Sequence, residues 1–302
     1  MSSYHIPVLL KESVSALFEG GDENGLYIDA TFGGGGHSRE ILSRLGSKGK
    51  LLVFDRDADA EANLPGDPRV IFVNNNYRFI SNFVRYHKLG KADGILADLG
   101  VSSHQFDTSE RGFSFRFDAD LDMRMNRSGG KSASDIVNSY PADELARILK
   151  EWGEVDNAGK VASLICEYRQ TKQIRTTGDL NRAIERVTPL NFEHKYLAKI
   201  YQALRIEVNG EMDSLGSFLE GTLKVLKSGG RLVVITYHSL EDRMVKNFIK
   251  SGNLRGEISR DLKGNRREIF ESVTKKPLLP CEDEISINTR ARSAKLRVAR
   301  MI

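Results

Sequence analysis

The sequence predicts an α/β protein, a doubly wound and mostly parallel sheet interrupted by a helical insertion. Three observations predict it. Short apolar runs alternate with helix-period segments from Tyr27 to Asp98 and again from Glu211 to Thr236, the pattern of parallel strands joined by crossover helices. Three of these runs end in an aspartate: Asp29, Asp55 and Asp98. From about Asp107 to Gly210 the strands stop and only helical spacing remains. The chain therefore divides into a first sheet portion at 1–106, a helical insertion at 107–210 and a second sheet portion at 211–302.

Taken in order, His5 to Phe18 reads as an extended lead followed by an amphipathic helix over the sheet. Tyr27-Ile28-Asp29 is the first strand. It runs into Gly33-Gly34-Gly35-Gly36-His37-Ser38, where glycine permits positive φ and close approach of a ligand, and then into a helix. A plain flexible loop is the alternative. Gly49 to Asp55 is a near-continuous apolar run of the kind a buried parallel strand shows. Asp55 follows Gly35 at the interval where a second-strand acid meets ribose hydroxyls, though it equally suits the cap of a helix starting near Asp57. Arg69 to Val73 is the third strand, and Tyr77 or Phe79 after it can stack on an adenine or serve the core. Ala92 to Asp98 is the fourth.

Within the insertion, helices are expected at Ala142–Trp152, Asn157–Gln170, Gly178–Val187 and Lys195–Ile206. Its opening, Arg111-Gly112-Phe113-Ser114-Phe115-Arg116-Phe117, mixes aromatics with arginines, which suits either stacking on nucleic acid or anchoring a loop. A helix from Glu211 to Leu226, a turn at Gly229-Gly230 and a fifth strand at Arg231–Thr236 resume the sheet. Ser239 with Asp242 resembles a capping box; His238 before it falls at the carboxyl edge, where ligands bind. Arg267–Val273 and Lys295–Met301 are expected to pair antiparallel, with a basic segment around Arg290 and Arg292 between them.

Composition narrows the function. A 40% hydrophobic and 28% charged chain without a long apolar run or a signal-peptide core is expected to be a cytoplasmic globular protein, not a membrane one. Cys166 and Cys281 stand far apart without metal-ligand spacing, so no disulfide framework and no metal site is expected. From Arg243 onward there are 15 Lys/Arg against 7 Asp/Glu, a bias suited to a polyanion.

The cofactor follows from what the glycine turn lacks. A dinucleotide needs Gly-x-Gly-x-x-Gly at the helix start, and counted from Gly33 the third glycine position is Ser38. A dehydrogenase is thereby disfavoured. Carboxylates ending strands one, two and four instead suit S-adenosyl-L-methionine, which carries no phosphate. His5-x-Pro7-Val8-Leu9, Asp29-Ala30-Thr31-x-Gly33-Gly34-Gly35-Gly36-His37-Ser38, Asp98-Leu99-Gly100-Val101-Ser102-Ser103-x-Gln105, Glu110-Arg111-Gly112-Phe113-Ser114-Phe115, His238-Ser239-Leu240-Glu241-Asp242-Arg243 and Asn288-x-Arg290-x-Arg292-Ser293-x-Lys295-Leu296-Arg297 together resemble the MraW family of bacterial methyltransferases.

That resemblance implies a class I, Rossmann-like methyltransferase whose insertion recognises the substrate. It implies methylation of N4 of a decoding-centre cytidine in 16S ribosomal RNA, within the small ribosomal subunit or its precursor. Carried over residue by residue, Gly35, Gly36 and His37 contact the cofactor, Asp55 its ribose, Tyr77 the adenine region, and Asp98 and Gln105 the methionine end or its surroundings. The family usually carries Pro at the position of His104 and Phe at that of Tyr77. Asp98 is the expected catalytic acceptor, with His238, Arg290 and Arg292 on the substrate. A non-catalytic RNA-binding factor that has kept the pocket is the other class to test.

Overall fold

Leu26–Asp29 (β1), Lys50–Asp55 (β2), Val70–Asn74 (β3), Ala92–Asp98 (β4), Leu226–Thr236 (β5), Phe270–Ser272 (β6) and Lys295–Met301 (β7) form one sheet in the order β3-β2-β1-β4-β5-β7-β6. The computed structural model of the chain describes residues 7–100, 111–127, 129–258, 260 and 268–302. β1 to β5 are parallel, and β7 runs antiparallel between β5 and β6. Strand order reverses between β1 and β4, so the crevice at their carboxyl ends is the switch point where open α/β sheets bind ligands. β1 is buried at every position, as a central parallel strand must be. The chain separates into two compact units, residues 1–100 with 213–302, and residues 101–212.

In the first unit, Leu10–Phe18 (α1), Gly36–Arg44 (α2) and Ile80–Tyr86 (α3) fall where helical spacing places them. Val14 and Leu17 of α1 and Ile41 and Leu42 of α2 join Tyr27, Leu51, Leu96, Val233 and Leu296 in one apolar cluster. β6 and β7 pair as expected, Phe270 opposite Met301 and Ser272 opposite Ala299. The expected turn at Gly229-Gly230 needs correction: β5 begins at Leu226. Leu226 pairs Ala92 and Arg231 pairs Gly94, so residues 227–230 bulge opposite Asp93, with Gly229 at φ 81°. Asp93 holds this end of the sheet by accepting from the backbone N–H groups of Asp22 and Leu26 and from Lys227.

The second unit contains Ala133–Ser139 (α4), Ala142–Glu151 (α5), Ala158–Thr171 (α6), Thr177–Ile184 (α7) and Glu193–Asn209 (α8) around a core that includes Ile148, Val161, Ile165, Leu180, Ile200 and Leu204. Helix α4 was not expected, because it is short. Its start signal is nevertheless legible: Ser132 and Asp135 form a capping box, as Thr176 and Asp179 do for α7. Asn209 ties the loop at 123–125 down, donating to the Met123 carbonyl and accepting from the Met125 N–H. The aromatic–arginine segment divides: Phe113 is buried and Phe115 packs against Tyr201, whereas Phe117 is 62% exposed. Gly210, at φ 55°, caps α8. Glu211–Val225 (α9) leads back to the sheet, and Ser239–Ser251 (α10) and Glu282–Ile287 (α11) complete the helices named here.

Candidate cofactor and catalytic site

The site is built at the carboxyl ends of β1, β2 and β4. Asp29 closes β1, fully buried, and ties the glycine turn at both ends by accepting from the Thr31 N–H at 3.0 Å and the Ser38 hydroxyl at 2.6 Å. Burial outweighs those bonds and pushes its carboxyl up to about 6. Gly33 at φ 50° and Gly35 at φ 74° let the chain reverse before α2. A Cβ on Gly34 would meet nothing, so the turn presents an open face there. Gly36 is glycine for another reason: a Cβ would collide with the Pro7 ring.

Asp55 closes β2 and accepts from the Gly33 N–H at 2.7 Å and the Asp57 N–H at 2.8 Å. The capping role the sequence allowed for Asp55 belongs to Asp57, which caps the 3-10 turn Ala58–Asn63. Arg56 bonds the Asp55 carboxylate through the backbone as well, so three of its roughly four acceptor sites are used and one is left for a hydroxyl. Burial again raises its carboxyl.

Asp98 closes β4. Its N–H donates to the Thr31 hydroxyl at 2.7 Å, its Oδ1 accepts from the Tyr237 phenol at 2.8 Å, and its Oδ2 lies 3.8 Å from His37 Nδ1. Burial pushes this carboxyl up to about 7; the Tyr237 bond lowers it and the charges of Asp29 and Glu241 raise it. His37 is buried with Nε2 3.1 Å from the Val8 carbonyl, and burial lowers its imidazole to about 4. Neutral at pH 7, it donates from Nε2 to Val8 and turns a lone pair at Nδ1 toward Asp98, so the contact is not an ion pair. Tyr237 is the residue that sequence reasoning missed. Nothing in the pattern marks it, since its role depends on β5 lying beside β4.

The capping expectation for α10 is corrected by one position. His238, not Ser239, is the cap: its Nδ1 accepts from the Glu241 N–H at 3.4 Å, while Glu241 Oε2 accepts from the backbone N–H groups of Tyr237 and His238. Asp242 instead takes Arg297 at 2.6 Å and Lys295 at 3.6 Å. Tyr237 is thus held at both ends, its phenol donating to Asp98 and its backbone N–H to Glu241, which also accepts from the His238 N–H.

Tyr77 stands after β3 in a short 3-10 turn capped by Asn76, half-buried, its ring edge-on to Phe218 at 5.2 Å. Arg290 and Arg292 are exposed in the turn before β7, and Arg292 forms no bond among the described residues. Gln105 and His104 lie outside the described residues. Cys166 is half-buried and Cys281 is exposed; both are free. No helix among the described residues is long and apolar enough to cross a membrane.

A family model described as the MraW methylase family matches residues 2–302. The chain belongs to that family. The ribosomal RNA small subunit methyltransferase H of Parabacteroides distasonis is 54% identical over 302 residues, covering 100% of this chain and 98% of the relative. That of Bacteroides fragilis is 56% identical over 298 residues, covering 99% and 97%. A solved putative rRNA-methylase from Clostridium thermocellum matches with a TM-score of 0.46 at 13% identity, over 99% of this chain and 100% of that one. Membership in the MraW family makes the chain a methyltransferase with S-adenosyl-L-methionine as its cofactor, and the site's chemistry fits that group. A ribose hydroxyl needs an acceptor with a free lone pair, which Asp55 offers; a sulfonium and an ammonium are cations, and the strand ends are carboxylates. The fold is a doubly wound, mostly parallel sheet, as the sequence predicts.

Proposed function

We propose that this protein methylates N4 of a cytidine in the 16S RNA of the small ribosomal subunit, in the cytoplasm, with Asp98 as the acceptor that activates the amine. Names carried by relatives similar over nearly their whole length support the RNA. One observation carries the catalytic assignment: Asp98 is a strand-end carboxylate fixed on one oxygen by Tyr237 and, among the described residues, unbonded on the other.

Gly34, Gly35 and His37 would line the methionine side, Asp55 the ribose and Tyr77 the adenine. Gly36 would contribute backbone alone. The bound cofactor supplies an electrophilic methyl group. Everything else is the protein's task. Cytosine N4 shares its lone pair with the ring, so it attacks only when an acceptor takes hydrogen-bonding charge from it and holds it in line. Alignment of this kind contributes about 7 to 11 kcal/mol in favourable cases. Asp98, raised to about 7, is matched to accept a proton near neutrality. Tyr237 keeps the carboxylate from rotating, and the unbonded oxygen is left to the amine. The base must be drawn from its stack to reach this point, and the unit at 101–212, with Arg290 and Arg292, is assigned to holding the RNA around it.

Transfer of labelled methyl from S-adenosyl-L-methionine into naked 16S RNA, 30S particles and 50S particles, followed by nucleoside mass analysis, tests the reading. N4-methylcytidine in 16S RNA or 30S particles is expected. Label in 50S particles alone, or in another nucleoside, would overturn it.

A further inference from the structure

Between Asp67 and Asp93 the chain contains no Asp or Glu, against Arg69, Arg78, Arg85, Lys88 and Lys91. Arg69 is matched by Asp67 at 2.6 Å, and Lys91 donates to the Lys224 carbonyl. Arg78, Arg85 and Lys88 are exposed and have no carboxylate partner among the described residues. Aromatic rings stand among them on α3 and the turn before it. Arg78 lies over the Phe79 ring at 5.5 Å, and Phe79 is 42% exposed. Two turns further, Tyr86 is 77% exposed although it packs edge-on against His87 at 5.0 Å and against Phe83 at 6.5 Å. Asn82, Phe83, Arg85 and Tyr86 line an open hollow between these rings.

Nothing in the fold requires this arrangement. The core side of α3 is supplied by Ile80 and Val84, and Phe83 meets Phe54 of β2. A solvent face of a helix is ordinarily given charges of both signs; here one sign is absent and two large rings are left uncovered. Uncompensated cations interleaved with exposed rings match a single strand of nucleic acid, whose phosphates take the cations and whose bases stack. The Tyr86 ring is held by His87 and Phe83, so stacking on it costs little side-chain entropy. Arg78 and Phe79 follow Tyr77 directly, so the face starts beside the carboxyl edge and continues along α3.

We infer that the outer face of α3, made by Arg78, Phe79, Asn82, Arg85, Tyr86 and Lys88, is a docking track for a single-stranded segment of the RNA substrate. This rests on the function proposed above for the RNA as substrate, but not on the identity of the methylated atom. The track lies far in sequence from the basic C-terminal segment and is separate from the unit at 101–212.

The test uses the full chain and 16S RNA. Affinity is measured against salt for the wild type, Tyr86→Ala, Tyr86→Phe and the double variant Arg85→Ala/Lys88→Ala, with cofactor affinity measured in parallel. Tyr86→Ala is expected to weaken RNA binding about tenfold, and Tyr86→Phe, which keeps the ring, to restore it. The double variant is expected to reduce the slope of log K against log salt by about 1.4, two phosphate contacts at the single-strand value. Cofactor affinity stays unchanged in all, which excludes misfolding because the site is in the same unit. RNA binding by Tyr86→Ala and by the double variant that equals wild type would overturn the track while leaving methyl transfer by wild type intact. Absence of transfer to any RNA by wild type would instead overturn the proposed function, whatever the binding results.

Discussion

Asp98 and Asp179 are both acids in sheltered positions, and their chemistry runs in opposite directions. At the sheet edge, Asp98 has one phenol and, among the described residues, no cation, and burial lifts it to about 7. In the helical unit burial likewise pushes Asp179 up, but Lys172 at 2.7 Å, Arg182 at 2.7 Å and the backbone N–H groups of Arg175 and Thr176 outweigh it and hold the carboxyl below its usual range. The satisfied acid is architecture: it closes the capping box of α7. The unsatisfied one is left with bonding capacity, which is what a reactive group needs. Tyr237 shows the same logic, since its bond fixes Asp98 without neutralising it, while Glu241 holds the Tyr237 backbone.

The largest effect expected from breaking this contrast is on chemistry. Asp98→Ala should lower the methyl-transfer rate at saturating cofactor at least a hundredfold, the scale of general-base catalysis; single-turnover kinetics check it, and calorimetry reads any separate loss of cofactor affinity. A rate close to wild type would remove Asp98 from the mechanism. Next comes the pH profile. Asp98 must be ionised to accept a proton, so kcat should fall about tenfold per unit below pH 7. Tyr237→Phe deletes the bond that lowers the carboxyl, so the acid limb should move to higher pH. A limb that stays in place would show that the phenol does not bear on the reacting group.

On the helical side the expected effect is on stability. Asp179→Ala removes a capping-box acid and two ion pairs, for a cost of about 2 kcal/mol, and hydrogen exchange should speed in α7 while β1 and β4 keep their protection. Linkage gives the two regions opposite pH behaviour. Asp179, lowered on folding, stabilises above its unfolded value of 3.8 and loses that contribution as pH falls through its folded pKa. Asp29 and Asp98, raised on folding, favour the fold below 3.8 and lose that contribution as pH rises through about 6 and about 7. Exchange rates measured from pH 3 to 8 distinguish the two trends. Smallest should be Arg292→Ala, which removes one exposed cation: RNA binding should weaken a few-fold across all sequences, and the salt slope should drop by about 0.7 if it meets a single-strand phosphate.

Much of the sheet was legible because burial writes itself into sequence. β1, β2 and β4 are apolar runs with an acid at the end, and the helices at 142–151 and 158–171 repeat apolar residues at their own period. Elements without a long repeat were lost: α4 and α11 are short, and the start of β5 hides behind two glycines that sit in a bulge. The cap of α10 was misread because Ser is a common cap and His is not. Geometry chose His238, since Glu241 reaches back to the N–H groups of Tyr237 and His238 from where it stands.

By itself the sequence determined the strand-and-helix order, the three acids and the family, because periodicity, spacing and long ordered motifs are properties of neighbours along a chain. Only the tertiary structure decided that Tyr237 grips Asp98, that Gly36 is small for Pro7 and Gly34 lies open, and that Phe113 is buried while Phe117 is not. Those facts depend on which strands lie side by side and on what burial does to a charge, and one-dimensional order contains neither.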